Sequence, residues 1–161
     1  MIELNETLVF LSVKQYLISE GWMLIGGQPP SGTDNLPVIE IRDPTFKGKG
    51  SKGSYKPDLI AIQGNNLMII ELKPNFSKLD RVKVNQVLNS RPRLESLWEG
   101  ILQRNIQIHG RNDQDSFRRE CQIVGGLGYG GRRVEHPELW RFFVNNSGVE
   151  VRPGSFATSL S

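Results

Sequence analysis

Two short groups of residues, Pro57-Asp58 and Glu71-Leu72-Lys73, carry two carboxylic acids and an amine on either side of a turn-forming sequence. The chain between them holds the apolar runs 59–62 and 67–70, separated by Gly64-Asn65-Asn66, residue types that tolerate left-handed backbone. This pattern predicts a β-hairpin with strands over 55–63 and 67–73. Counting outward from a closure near 64–66 sets Asp58 opposite Glu71 or its neighbour. Opposed residues have Cβ atoms roughly 4.5–5.5 Å apart, a spacing at which one cation bridges two carboxylates. Along the second strand side chains alternate, so Glu71 and Lys73 share a face while Leu72 turns to the other and packs in the core.

Apolar residues on both faces of both strands mark them as buried. Two carboxylates and an ammonium at the end of such strands are expensive to desolvate unless they are paired or hold a metal. Oxygen donors, without a Cys/His cluster, favour Mg²⁺ or Mn²⁺ over zinc, with water and substrate phosphate completing the shell. A cation so held polarises a phosphodiester and acidifies bound water, and Lys73 is placed to orient the nucleophile or to stabilise developing negative charge. The chemistry expected is hydrolysis of a nucleic-acid backbone. The plainer reading of the same residues is an ordinary salt bridge at an exposed hairpin end.

Size and composition agree with one domain over residues 1–161, with a core over 3–125 and strands and turns over 126–161. The formal charge of +3 and pI near 9.2 favour a polyanionic partner. Cys121 is the single cysteine, so disulfides and thiolate zinc sites are excluded and a reducing, cytoplasmic setting is expected. No apolar run approaches bilayer length, and no membrane association is expected.

The elements that must position the site read as follows. A helix over 3–20 is predicted by Leu4, Leu8 and Leu11 and by Phe10, Val13 and Leu17, with Gly21 ending it. Short strands are expected over 22–25 and 38–41, with a turn region over 26–32. Lys47, Lys49 and Lys52, among glycines and serines, form either a solvated loop or a segment that folds over a phosphate backbone ahead of the hairpin. Helices follow over 78–89 and 94–103, separated by Pro92. Arg81, Lys83, Arg91 and Arg93 either track phosphates or make a charged helix face. Strands are expected over 122–124, 139–144 and 149–151. Residues 126–131 match G-x-G-x-x-G as text, but the residues after them begin a helix poorly, so a glycine-rich turn is expected. His109, His136 and Cys121 lack partners at ligand spacing and read as structural. The whole is an α/β fold: a mixed sheet of four to five strands flanked by helices, with the hairpin as its catalytic edge.

The pattern Pro57-Asp58 with Glu71-Leu72-Lys73 resembles the PD-(D/E)XK nuclease superfamily, which would make the domain a restriction-endonuclease-like one; the likeness covers residues 3–90. It implies metal binding by Asp58, Glu71 and the main-chain carbonyl of Leu72, with Lys73 assisting the attacking water. Family members often add a glutamate from the first helix. Glu6 is the choice here, because it lies on the stripe with Phe10, Val13 and Leu17; a dipole-favoured acid at a helix start is the equal alternative. Some branches add a glutamine in a Gln-x-x-x-Tyr motif, and Gln86 occupies that place with Ser90 where the tyrosine would be. The implied protein is a Mg²⁺-dependent DNA endonuclease of restriction or defence type, working as a homodimer or with a larger recognition subunit. Junction resolution or repair, and a non-catalytic nucleic-acid-binding module that keeps the fold, are the alternatives.

Overall fold

The computed structural model describes residues 4–30, 35–43, 54–104, 108 and 114–161. Lys47, Lys49, Lys52 and His109 lie outside these residues. Helix α1 (Glu6–Ser19) starts where the Asn5 side chain accepts the Leu8 N–H at 2.9 Å, and Glu6 in the first turn suits the helix dipole. It stops before Gly21, whose φ of 87° a residue with a side chain rarely adopts. Strand β1 (Met23–Gly27) follows, then the short strands β2 (Ile41–Arg42) and β3 (Ser54–Tyr55), which pair with each other in a second, small sheet. The hairpin is β4 (Leu59–Gln63) and β5 (Asn66–Asn75), closed by Gly64-Asn65 with Gln63 opposite Asn66. Next come α2 (Lys78–Leu88), α3 (Arg91–Gln103) and α4 (Gln114–Glu120), then β6 (Gln122–Gly130), β7 (Trp140–Asn145) and β8 (Gly148–Arg152).

Among the described residues the main sheet is mixed and has six strands in the order β1-β4-β5-β6-β7-β8, with β5, β6 and β7 parallel. Alternation along β5 divides the core. Met68, Ile70 and Leu72 meet Val9, Phe10, Val13 and Leu17 of α1 on one face. Leu67 and Ile69 meet Val84, Val87 and Leu88 of α2, Leu97 and Trp98 of α3 and Phe117 of α4 on the other. Ser77 and Ser90 cap α2 and α3 by accepting the N–H of Asp80 and Arg93, and Pro92 sits in the first turn of α3, where its missing N–H costs nothing. No helix among the described residues is long and apolar enough to cross a membrane.

Several expectations need correction. The sheet has six strands rather than four or five, and the hairpin lies inside it, between β1 and β6, instead of at an edge. Tyr55 belongs to β3 rather than to β4. Gly26 and Gly27, expected in a turn, end β1: a Cβ on Gly27 would lie 2.7 Å from the Asp58 carbonyl, so glycine allows the two backbones to meet. The strand expected over 122–124 runs on to Gly130 and takes in most of the glycine-rich segment read as a turn, so the boundary at 125/126 falls inside it. Helix α4 has too few apolar residues to show a period and was not foreseen.

Arg81 of α2, a candidate phosphate contact, is engaged elsewhere. Its guanidinium donates two hydrogen bonds to Glu138, at 2.7 and 2.9 Å, and Asn85 donates a third at 3.1 Å. These bonds hold the Glu138 carboxyl down at about 2. A depressed acid stabilises the fold above its unfolded pKa and loses that contribution as pH falls toward the folded value. Arg81→Ala is therefore expected to cost about 1 kcal/mol at pH 7, as partly exposed pairs do, and much less at pH 2.5. Urea melts at the two pH values check this, and an unchanged gap would refute it.

Candidate active site

The hairpin register carries Asp58 to Glu71. Leu59 is opposite Ile70, and the next step outward, past the end of β4, brings Asp58 and Glu71 together. The backbone then secures Asp58: the Leu72 N–H donates to its Oδ2 at 2.8 Å. The two carboxyls hydrogen-bond each other, which requires one proton between them. Glu71 is 6 % exposed. Burial, and then the Asp58 charge, push it up to about 9, so it holds that proton at neutral pH. Burial also raises Asp58, while its hydrogen bonds to Glu71 and Leu72 pull the other way. The Tyr55 hydroxyl, buried beside Glu71 without a well-formed partner, is driven well above its usual value by burial and then by Glu71.

Lys73 follows from an irregularity in β5. Pairing with β6 runs Leu72 to Gly128 and resumes at Asn75 with Gly130, so Lys73 and Pro74 bulge out of register. Pro74 has no N–H to give a ladder, which accounts for the break. The Lys73 ammonium lies 3.6 Å from the Glu6 carboxylate, both about half exposed. Burial works against its charge, but Asp80, Glu6, Asp58 and Glu71 outweigh that and raise its pKa.

Asp80 is the residue that sequence reasoning missed. It is 4 % exposed, one carboxyl oxygen has no hydrogen-bond partner, and with Glu71, Lys73 and Ser77 it lines a small cavity. Burial raises its pKa against the pull of Lys73 and Lys83. The signal was present: Asp80 keeps helical step with Val84, Val87 and Leu88, so an acid occupies the apolar stripe of α2.

Of the other described candidates, Lys83 alone stays near the carboxyls, its charge reaching Asp80. Gln86 is exposed, on the side of α2 turned from that stripe, and does not join the carboxyls. Lys83 is exposed, with its ammonium 6.0 Å from the centre of the Tyr55 ring. Arg91 is bound to Glu95 and to the Leu160 carbonyl, and Arg93 to Asp43. His136 is buried, 3.0 Å from the Tyr129 hydroxyl and stacked on Phe76, and Cys121 is buried.

Among the described residues, no three or more His, Cys, Asp or Glu side chains are grouped to hold a metal ion. The pair Asp58 and Glu71 nonetheless fits a hard divalent cation in its chemistry. It offers only oxygen donors, and its shared proton occupies the place where positive charge relieves the repulsion of two buried carboxylates. No family model matches the sequence, and no curated protein is similar to it.

Proposed function

We propose that this chain is a divalent-metal-dependent DNA endonuclease of the PD-(D/E)XK kind, with a restriction-endonuclease-like core. The observation that carries the reading is the contact of the Asp58 and Glu71 carboxyls at the hairpin end with the Lys73 ammonium beside them. Asp58 and Glu71, with the main-chain carbonyl of Leu72, are the groups that would hold Mg²⁺ or Mn²⁺. A bound cation supplies positive charge to the phosphodiester and lowers the pKa of water.

The protein's own residues complete the chemistry. In hydrolysis a water oxygen bonds to phosphorus as the bond to the leaving sugar oxygen breaks; the water gives a proton up to solvent and the leaving oxygen takes one from it. With its pKa raised by four acids, Lys73 remains an ammonium, so it serves as a hydrogen-bond donor and countercharge rather than as a base. Glu6 pairs with that ammonium on the solvent side, and the buried Asp80, which lines a cavity with Lys73, adds countercharge. The Leu72 N–H fixes Asp58. A restriction or defence role suits a small domain that carries no nucleotide-hydrolysis motif, with a second copy or a larger subunit supplying recognition.

The test is supercoiled plasmid incubated with Mg²⁺, Mn²⁺ or EDTA. The wild type is expected to nick or linearise DNA with either metal and not with EDTA, and Lys73→Ala to be slower by about 10²–10³-fold. Equal cleavage by the variant would show that the centre lies elsewhere. DNA binding that survives Asp58→Ala, without cleavage under any metal, would make the chain a binding module.

A further inference from the structure

Next to the acid and lysine cluster, the carboxyl-terminal ends of the parallel strands β5, β6 and β7 frame a cleft of about 480 Å³. Ligands of open α/β sheets commonly bind at such strand ends, and the volume lies within the range of small-molecule sites. The cleft adjoins the catalytic candidates, since Asn75 and Tyr129 line both it and the cavity of Glu71, Lys73 and Asp80. Asn75 is two residues beyond Lys73 on β5.

The lining combines a flat cation with amides. The Arg133 guanidinium lies over the Phe143 ring, 4.5 Å from its centre, and is ion-paired with Glu150. Ring and carboxylate together hold its plane in place while its side chain stays half exposed. Asn75, Asn145 and Asn146 add side-chain amides. Asn145 accepts the Ser147 N–H through Oδ1 at 2.7 Å, which leaves its NH₂ as the donor end. Asn75 is admitted by Gly131, where a Cβ would lie 2.7 Å from the Asn75 Oδ1 and where φ is +72°. A planar cation on an aromatic ring is a stacking platform for a nucleobase, and amides offer the paired donor and acceptor that base edges require.

We infer that this cleft receives one unpaired nucleotide of the DNA strand, with its base stacked on Arg133 and its edge met by the asparagine amides. The inference rests on the nuclease reading and makes DNA that carries a single-stranded flap, gap or branch its preferred substrate over continuous duplex. A base inside a continuous duplex would have to leave the stack to enter.

The test measures binding by fluorescence anisotropy in EDTA, so that it does not depend on cleavage. A blunt duplex is compared with the same duplex bearing an unpaired flap. The flap is expected to bind about tenfold more tightly, the effect of stacking one base. Arg133→Lys keeps the charge but loses the plane, and with Asn75→Ala it should reduce the preference below about twofold while leaving duplex affinity unchanged. Thermal melts establish that both variants are folded. Equal affinity of the wild type for the two DNAs, or equal losses on both by folded variants, would overturn the inference. If metal- and Lys73-dependent cleavage is present without any flap preference, only this inference falls. If no DNA is bound in any form, the nuclease reading falls with it.

Discussion

Glu71→Gln is expected to stabilise the metal-free protein at pH 8 while abolishing the proposed metal-dependent cleavage. Glu71 is an acid held at about 9 against an ordinary 4.5, mainly by burial and then by the charge of Asp58. A raised acid leaves the fold at its strongest below the unfolded pKa, and stability drains away as pH climbs toward the folded value. Between about pH 4.5 and pH 9 the fold must therefore keep a proton on Glu71 that the unfolded chain gives up. Glutamine removes this requirement, and its NH₂ can still donate to Asp58. The gain at pH 8 is expected to be on the order of 2–4 kcal/mol, or about 5–10 °C in melting temperature. At pH 5 wild type and variant should nearly coincide.

Added Mg²⁺ should reverse the order at pH 8, because it stabilises only the protein that can bind it. Thermal melts in EDTA and in Mg²⁺ at both pH values read all of this out. A variant that gains nothing in EDTA at pH 8, or that responds to Mg²⁺ as the wild type does, would show that Glu71 is an ordinary buried acid. The pattern sought is stability and activity moving in opposite directions after one isosteric change.

Gly125→Ala carries the second large effect. Gly125 lies in β6, where a Cβ would overlap Val84 and stand 3.0 Å from Leu139 and Leu88. All three are buried, so none can swing into solvent. Overpacking of this kind costs about 3 kcal/mol, equivalent to roughly 6–12 °C in melting temperature. Gly64→Ala makes the contrast: nothing lies within 4 Å of its Cβ, and only the positive φ of 57° opposes it, for about 1 kcal/mol. Circular-dichroism melts rank the two, and a Gly125 variant no worse than the Gly64 variant would contradict the packing described for β6.

Gly125 also shows where sequence reading reached its limit. The hairpin was legible because its signals are local: a two-residue turn and two apolar runs fix the register, and the register places Asp58 at Glu71. The first helix and its inward stripe were legible for the same reason. The continuation of strand β6 beyond Val124 was not, because its glycines answer to Val84, Leu88, Leu139 and Leu72, residues distant in the chain. A run of glycine reads as a turn until the helix pressed against it is known. Asp80 was overlooked for a related reason, since an acid near a helix start has a sufficient local explanation in the dipole. Its buried place beside Lys73 emerges only when α2 lies on the sheet. Arg81 reads as a surface cation until Glu138 is found opposite it.

The parallel pairing of β5 with β6 orders events in folding. β4 and β5 meet across two residues and can close on the microsecond scale of isolated hairpins. β6 can dock only after the intervening chain, with α2, α3 and α4, has crossed over the sheet, a loop closure with a larger entropic penalty. Asp58 and Glu71 thus become neighbours early, in a ribbon still open to water, where both can ionise. Their burial comes later, with α2 and β6. If the proposed cation binds, its capture, like uptake of the shared proton, is expected to accompany that later burial, so refolding rates, and not only final stability, should register the pH and the metal.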